Sequence, residues 1–199
     1  LARAYTGRES YLLVEGGYHG LFDAAMWMSN MEEWELGSNT DPDLVPYGKG
    51  IPGTIKQLAH ITPMNDFDRL DDMFRKHGDK FAAMLIEPIQ GNCCGIMAQV
   101  EYVQLARRLC DQYGVLLIID EVKSGFRVGK GGIQGIMGVR PDITTFAKAV
   151  ANGYPISLVA GREDVMRMFR YGGASHGGTY TAHSVSLAAA EECLRILDE

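Results

Sequence analysis

The feature that most constrains this chain is an alternation of amphipathic helical patterns with short, fully apolar runs. Asp66 to His77 carries Phe67, Leu70, Met73 and Phe74 at helical spacing, and Phe81 to Ile86 follows as a continuous apolar run ending at Glu87-Pro88. The pattern repeats at once: Tyr102, Leu105, Ala106 and Leu109 mark a helix, Gly114 ends it, and Val115 to Ile119 runs apolar as far as Asp120. A strand that is apolar at every position is buried on both faces, and helices alternating with such strands cover the faces of a mostly parallel sheet. The predicted fold class is therefore α/β, a mostly parallel central sheet with flanking helices.

Other elements fit around this frame. Leu12 to Val14 reads as a strand leading into the loop Glu15-Gly16-Gly17-Tyr18-His19-Gly20. Ile143 to Phe146 and Ser157 to Ala160 read as further strands, and Asp164 to Arg170 and Ser184 to Leu197 as helices. Between Met31 and Thr62 the apolar period fades while Gly, Pro, Asn and Asp accumulate, which predicts a long surface excursion; Trp27, Trp34 and Tyr47 are expected to pack it down. Leu1 to Tyr5 resembles the tail of a helix and Glu199 follows one with no stop signal, so a chain cut at both ends is expected.

Composition narrows the function classes. With 199 residues, 46% of them hydrophobic, one large globular domain is expected. The net charge is -6 and the basic residues Arg107, Arg108, Lys123, Arg127 and Lys130 form no stripe, which argues against a nucleic-acid partner and for a small-molecule substrate. No apolar run approaches the roughly 20 residues of a membrane span, and residues 1–8 lack the layout of a signal peptide, so a cytoplasmic protein is expected. Cys93, Cys94, Cys110 and Cys193 show neither CxxC spacing nor nearby histidine pairs; they read as reduced, mostly buried thiols, with no metal site.

The chemistry sits at strand ends. Glu87, Asp120 and Lys148 each follow a predicted strand on its carboxyl side, the edge where open parallel sheets bind ligands. Taken singly, Asp120 and Glu121 read as a solvated strand end and Lys148 as a surface lysine. An acid and a lysine at one sheet edge suit pyridoxal phosphate: the lysine holds the aldehyde as a Schiff base, and a carboxylate beside the pyridine nitrogen keeps the ring protonated as an electron sink.

The wording of two segments resembles the class III aminotransferases. Leu116-Leu117-Ile118-Ile119-Asp120-Glu121-Val122 with Ser124-Gly125-Phe126-Arg127 is similar to the family's strand and turn, and Gly138-Val139-Arg140-Pro141-Asp142-Ile143-Thr144-Thr145-Phe146-Ala147-Lys148 with Ala151-Asn152-Gly153-Tyr154-Pro155 to its lysine segment. The resemblance runs through nearly all of the chain. It implies Asp120 as the pyridinium partner, Lys148 as the Schiff-base lysine, and residues 1–199 as the large cofactor-binding domain of a fold type I enzyme, truncated at both ends. In Tyr18-His19-Gly20 it implies a cofactor-binding aromatic loop with Tyr18 stacked on one ring face, and Val122 packs on the other. Glu87-Pro88-Ile89-Gln90-Gly91-Asn92 resembles the strand-end motif, in which Glu87 and Asn92 belong to the cofactor site and Asn92 stands where the glutamate-semialdehyde aminomutase branch has an asparagine on the cofactor's phenolic oxygen. Gly177-Gly178-Thr179-Tyr180 resembles the turn whose threonine binds the phosphate in the other subunit, so Thr179 implies a homodimer with shared sites.

The chain departs from the family at Lys123, where Gln or Met is frequent, and at His183-Ser184, where Asn-Pro is usual. The implied activity is transamination between an amino donor and an oxo acceptor. The rival within the family is an aminomutase, resembled by Gly125-Phe126-Arg127-Val128, Gly131-Gly132-Ile133-Gln134 and Asn92, and the rival outside catalysis is a silent domain that kept the fold. A dinucleotide-binding dehydrogenase needs Gly-x-Gly-x-x-Gly after its first strand, and Glu15 to Gly20 lacks that spacing.

Overall fold

The computed structural model describes residues 1–29, 37–38, 41–170 and 172–199. Its main sheet has six strands: β1 (Ser10–Val14), β2 (Ala59–Thr62), β3 (Phe81–Ile86), β4 (Leu116–Asp120), β5 (Ile143–Phe146) and β6 (Leu158–Gly161). Across the sheet they run β6-β5-β4-β3-β1-β2. The first five are parallel, and β6 closes one edge antiparallel to β5, placing Leu158 opposite Phe146.

Two helices form where the sequence supplies both an apolar stripe and end signals. In α2 (Phe67–His77), Asp66 caps the start by accepting from the Arg69 N–H at 2.9 Å, while Arg75, Lys76 and His77 in the last turn suit the negative end of the helix dipole. In α3 (Val100–Tyr113), Gly114 ends the helix in the left-handed region at φ 64°. The buried stripes Leu70, Met73, Phe74 and Tyr102, Val103, Ala106, Leu109 meet Leu12, Val14, Met84, Ile86, Leu117 and Ile119, which alternate onto one sheet face. This is the principal core, and edge-to-face ring pairs such as Phe74–Phe81 at 5.8 Å knit it.

The opposite face carries Tyr11, Leu13, Leu85 and Ile118; α1 (Ala2–Thr6) and Val165 pack on one part of it, and Trp27 and Leu44 on another. Helix α4 (Ser184–Ile196) packs through Ala190 on Val150 and Ala151. Among the described residues no helix is long and apolar enough to cross a membrane.

Three expectations are corrected. The stretch predicted as a surface excursion from Met31 to Thr62 contains β2, an edge strand that pairs with β1, and Leu44–Pro46, which pairs with Trp27–Ser29. Trp27 is buried and the Tyr47 hydroxyl donates to the Gly17 carbonyl at 3.3 Å; Trp34 lies outside the described residues. The helix predicted over Asp164 to Arg170 is only Glu163–Met166, because the chain then tightens into turns from Met168 and Phe169 back to Val165 and Met166. The cysteines are free thiols, but only Cys110 is buried; Cys94 is exposed and Cys93 and Cys193 are half-buried.

Candidate active site

In parallel strands all carboxyl ends lie at one edge, so Val14, Ile86, Asp120 and Phe146 end side by side and the loops after them converge. The pairing of Asp120 with Thr145 puts the segment that leads to Lys148 next to the segment that leads to Val122.

Asp120 lines a cavity of about 610 Å³ together with His19, Val122, Thr145 and Phe146. Its floor is the second sheet face, with Leu13, Ala83, Leu85 and Ile118. His19 Nδ1 lies 2.8 Å from Asp120 Oδ2, and the Val122 N–H donates to Oδ1 at 2.9 Å. Burial acts to raise the Asp120 pKa, but the hydrogen bond and charge interaction with His19 and the Val122 N–H outweigh it, so the carboxyl is held below its ordinary value. An ionised carboxylate only accepts, which places the shared proton on Nδ1 of His19. His19 Nε2 is buried with no hydrogen-bond partner among the described residues.

A second cluster stands beside it. The Glu87 carboxylate, 2% exposed, accepts from the Tyr18 N–H at 3.2 Å and the Gly91 N–H at 3.3 Å, and meets Lys123 Nζ at 3.3 Å. Lys123 also donates to Asn92 Oδ1 at 2.8 Å and lies 5.5 Å from the centre of the Tyr18 ring. Tyr18, Glu87 and Asn92 are thus joined through Lys123, a partner that single-residue reading missed because the bonds cross three loops.

Lys148 stands apart from Asp120. It opens a one-turn 3₁₀ helix, Lys148–Ala151, at φ 48°, a strained backbone angle for a residue with a side chain. It is exposed and lines a different cleft, of about 770 Å³, with Phe126, Arg127 and Asn152. Phe126 borders that cleft and Phe146 the Asp120 cavity; their rings, 5.2 Å apart, separate the two. Thr179 is exposed in a turn closed by the Thr181 N–H on the Gly178 carbonyl, and it lines neither cavity.

Glu121, beside Asp120, is fully buried and not a solvated strand end. It accepts from the Ser124 hydroxyl at 2.7 Å and from the N–H groups of Gln134 and Ile133 at 2.9 and 3.1 Å, which fixes the turn after β4. Among the described residues no group of histidine, cysteine and acidic side chains could hold a metal.

The model of the family described as aminotransferase class III matches residues 1–199. A glutamate-1-semialdehyde 2,1-aminomutase from Caldivirga maquilingensis is 39% identical over 99% of the chain and 44% of the relative. Among solved structures, an omega-transaminase from Sphaerobacter thermophilus superposes with a TM-score of 0.90 at 35% identity, covering 98% of this chain and 45% of that one. A structure described as a transaminase with PLP bound gives 0.85 at 33% identity, again over 98% and 45%. The chain therefore spans a little under half the length of the proteins it matches. In sequence and in fold, it belongs to the class III aminotransferase family.

Proposed function

We propose that residues 1–199 form the large, cofactor-holding domain of a pyridoxal-phosphate-dependent aminotransferase that moves an amino group from a small-molecule donor to an oxo acceptor. The observation that carries this reading is the His19–Asp120 pair at the carboxyl edge of the sheet: a carboxylate held in its charged form, opening on a cavity, with an orphaned polar atom next to it. A protonated ring nitrogen donates, and the Asp120 carboxylate is the acceptor that fits it.

Bound pyridoxal phosphate supplies an aldehyde that captures amines and a ring that delocalises the electron pair left when a carbon loses its proton. Asp120 holds the proton on the ring nitrogen, and His19 holds Asp120. Val122, which lines the same cavity, gives the ring an apolar face, and Tyr18, whose backbone is tied down by Glu87, gives it an aromatic one. Asn92 has its carbonyl oxygen occupied by Lys123, which leaves its N–H groups to donate to the cofactor's phenolic oxygen. With the cofactor bound, Lys148 Nζ would hold its aldehyde and, as a free amine, would take and return the proton at the reacting carbon. For this its side chain would turn from the cleft it lines towards the Asp120 cavity. Thr179, which is exposed, would reach the phosphate of a second subunit in a homodimer, and the enzyme would work in the cytoplasm.

The test is the absorbance spectrum of the full-length protein with pyridoxal phosphate, before and after borohydride, followed by peptide mass mapping. A long-wavelength band that borohydride removes, leaving the reduced cofactor on Lys148 and absent in Lys148→Ala, is expected. No band would sink the reading and leave a silent domain. A second reading, intramolecular transfer by an aminomutase, draws on relatives of that name; turnover of one amino-aldehyde substrate with no added oxo acceptor would select it.

A further inference from the structure

We propose that an arginine-lined cleft at the amino-terminal edge of the sheet, opposite the cofactor edge, binds a small polyanion of the oligophosphate class. The cleft measures about 610 Å³ and is lined by Arg107, Arg108, Arg140 and Arg162 with Asp111 and Asp142 as its acids. In a chain of net charge -6 this is a local excess of positive charge.

Two of the arginines are fixed and two are uncommitted. Asp142 is buried, and its Oδ2 accepts from Arg107 Nη1 and the Leu117 N–H, both at 2.7 Å, while Oδ1 accepts from Arg162 Nη1 at 2.6 Å. Arg107 also meets Asp111 at 2.7 Å, and Arg162 shares Asp164 at 2.6 Å. The acids are thereby spent on Arg107 and Arg162, which become a rigid wall. Arg108 and Arg140, both exposed, have no hydrogen bond or ion pair from their side chains among the described residues, so their guanidinium charges are not neutralised. Arg107 Nε adds a buried N–H with no acceptor among the described residues. Two free planar forks beside a fixed cationic wall match a ligand carrying two adjacent anionic groups, each taken by one fork. The cleft holds no nucleophile and lies away from Asp120 and Lys148, which makes it a binding site and not a second reaction centre.

The probe is inorganic pyrophosphate, titrated calorimetrically at fixed ionic strength into full-length protein that has been loaded with pyridoxal phosphate and freed of excess. Loading keeps the probe from reporting the cofactor's own phosphate position. One saturable site is expected, weakened at least tenfold in the Arg108→Gln/Arg140→Gln double variant. These side chains make no bonds, so the variant keeps its fold, and an unchanged melting temperature verifies it; Arg108→Glu alone serves as a second variant with the same expected loss. Absence of saturable binding, weakening by less than tenfold, or tighter binding of citrate than of pyrophosphate would overturn the proposal.

Discussion

His19 and Asp120 lie 101 positions apart and meet at 2.8 Å, with the histidine side chain 3% exposed and the aspartate side chain 12% exposed. A charge-assisted hydrogen bond in so dry a setting contributes about 1.5–3 kcal/mol, and a buried carboxylate left without its donor is costly. His19→Ala is accordingly expected to lower stability at neutral pH by about 1–3 kcal/mol in urea unfolding. The sign of the pH effect follows from the depressed carboxyl of Asp120: the stability it confers is present above the ordinary aspartate range and is lost as pH falls through the lower, folded value. Without His19 the folded carboxyl rises towards its unfolded value, so the acid limb of a stability–pH profile should become shallower; a limb of unchanged depth would show that the pair does not set the Asp120 charge. Asp120, the last residue of β4, and Lys148, two residues past β5, stood out in the sequence as candidates because each lies at a strand end within a distinctive run of residues. The pairing of His19 with Asp120 and of Lys123 with Glu87 and Asn92 was not, since contacts between loops have no period to read.

The turn after β4 shows how an element is held in shape by one buried acid. Gly132 sits at φ 60° against Glu121, and a Cβ placed there would lie 2.4 Å from Glu121 Oε1. Gly114, capping α3 at φ 64°, has its nearest neighbour at 3.6 Å, the end of the Arg8 side chain. Gly114→Ala should therefore cost only the conformational term, about 1 kcal/mol, whereas Gly132→Ala must also displace a carboxylate that holds three donors and should cost more, about 2–4 kcal/mol. Equal losses in chemical denaturation would contradict the contact. At this scale the sequence was informative where the pattern was strong: the bounds of β3 agree with its apolar run, those of β5 with the strand read over Ile143 to Phe146, and the Gly114 stop is where α3 ends. It was least informative for β2, because Ala-His-Ile-Thr is a four-residue edge strand with no apolar run, made a strand only by the neighbouring β1.

Seen as a whole, the molecule is a sheet whose two faces are used differently. One is sealed by α2 and α3 and supplies the core; the other is partly open and floors the Asp120 cavity, so the same alternation along β3 and β4 builds stability on one side and the site on the other. What ties the sealed layer to the sheet at the edge away from the site is Arg8, just before β1. Its Nη1 reaches the carbonyls of Gly78, Phe81, Tyr113 and Gly114 at 3.3, 3.1, 2.9 and 3.3 Å. Three of these belong to the carboxyl ends of α2 and α3, where unsatisfied carbonyls and the helix dipoles favour a cation, and the fourth begins β3. Arg8→Ala should then lower the urea midpoint by an amount equivalent to about 1–3 kcal/mol, with amide exchange rising first in the last turns of both helices. All four contacts run to one nitrogen, so Arg8→Lys, which keeps a cationic donor, should recover more than half of the loss. Protection that falls at only one helix end would mean that Arg8 caps that helix alone, and that packing, not this cation, joins the layers.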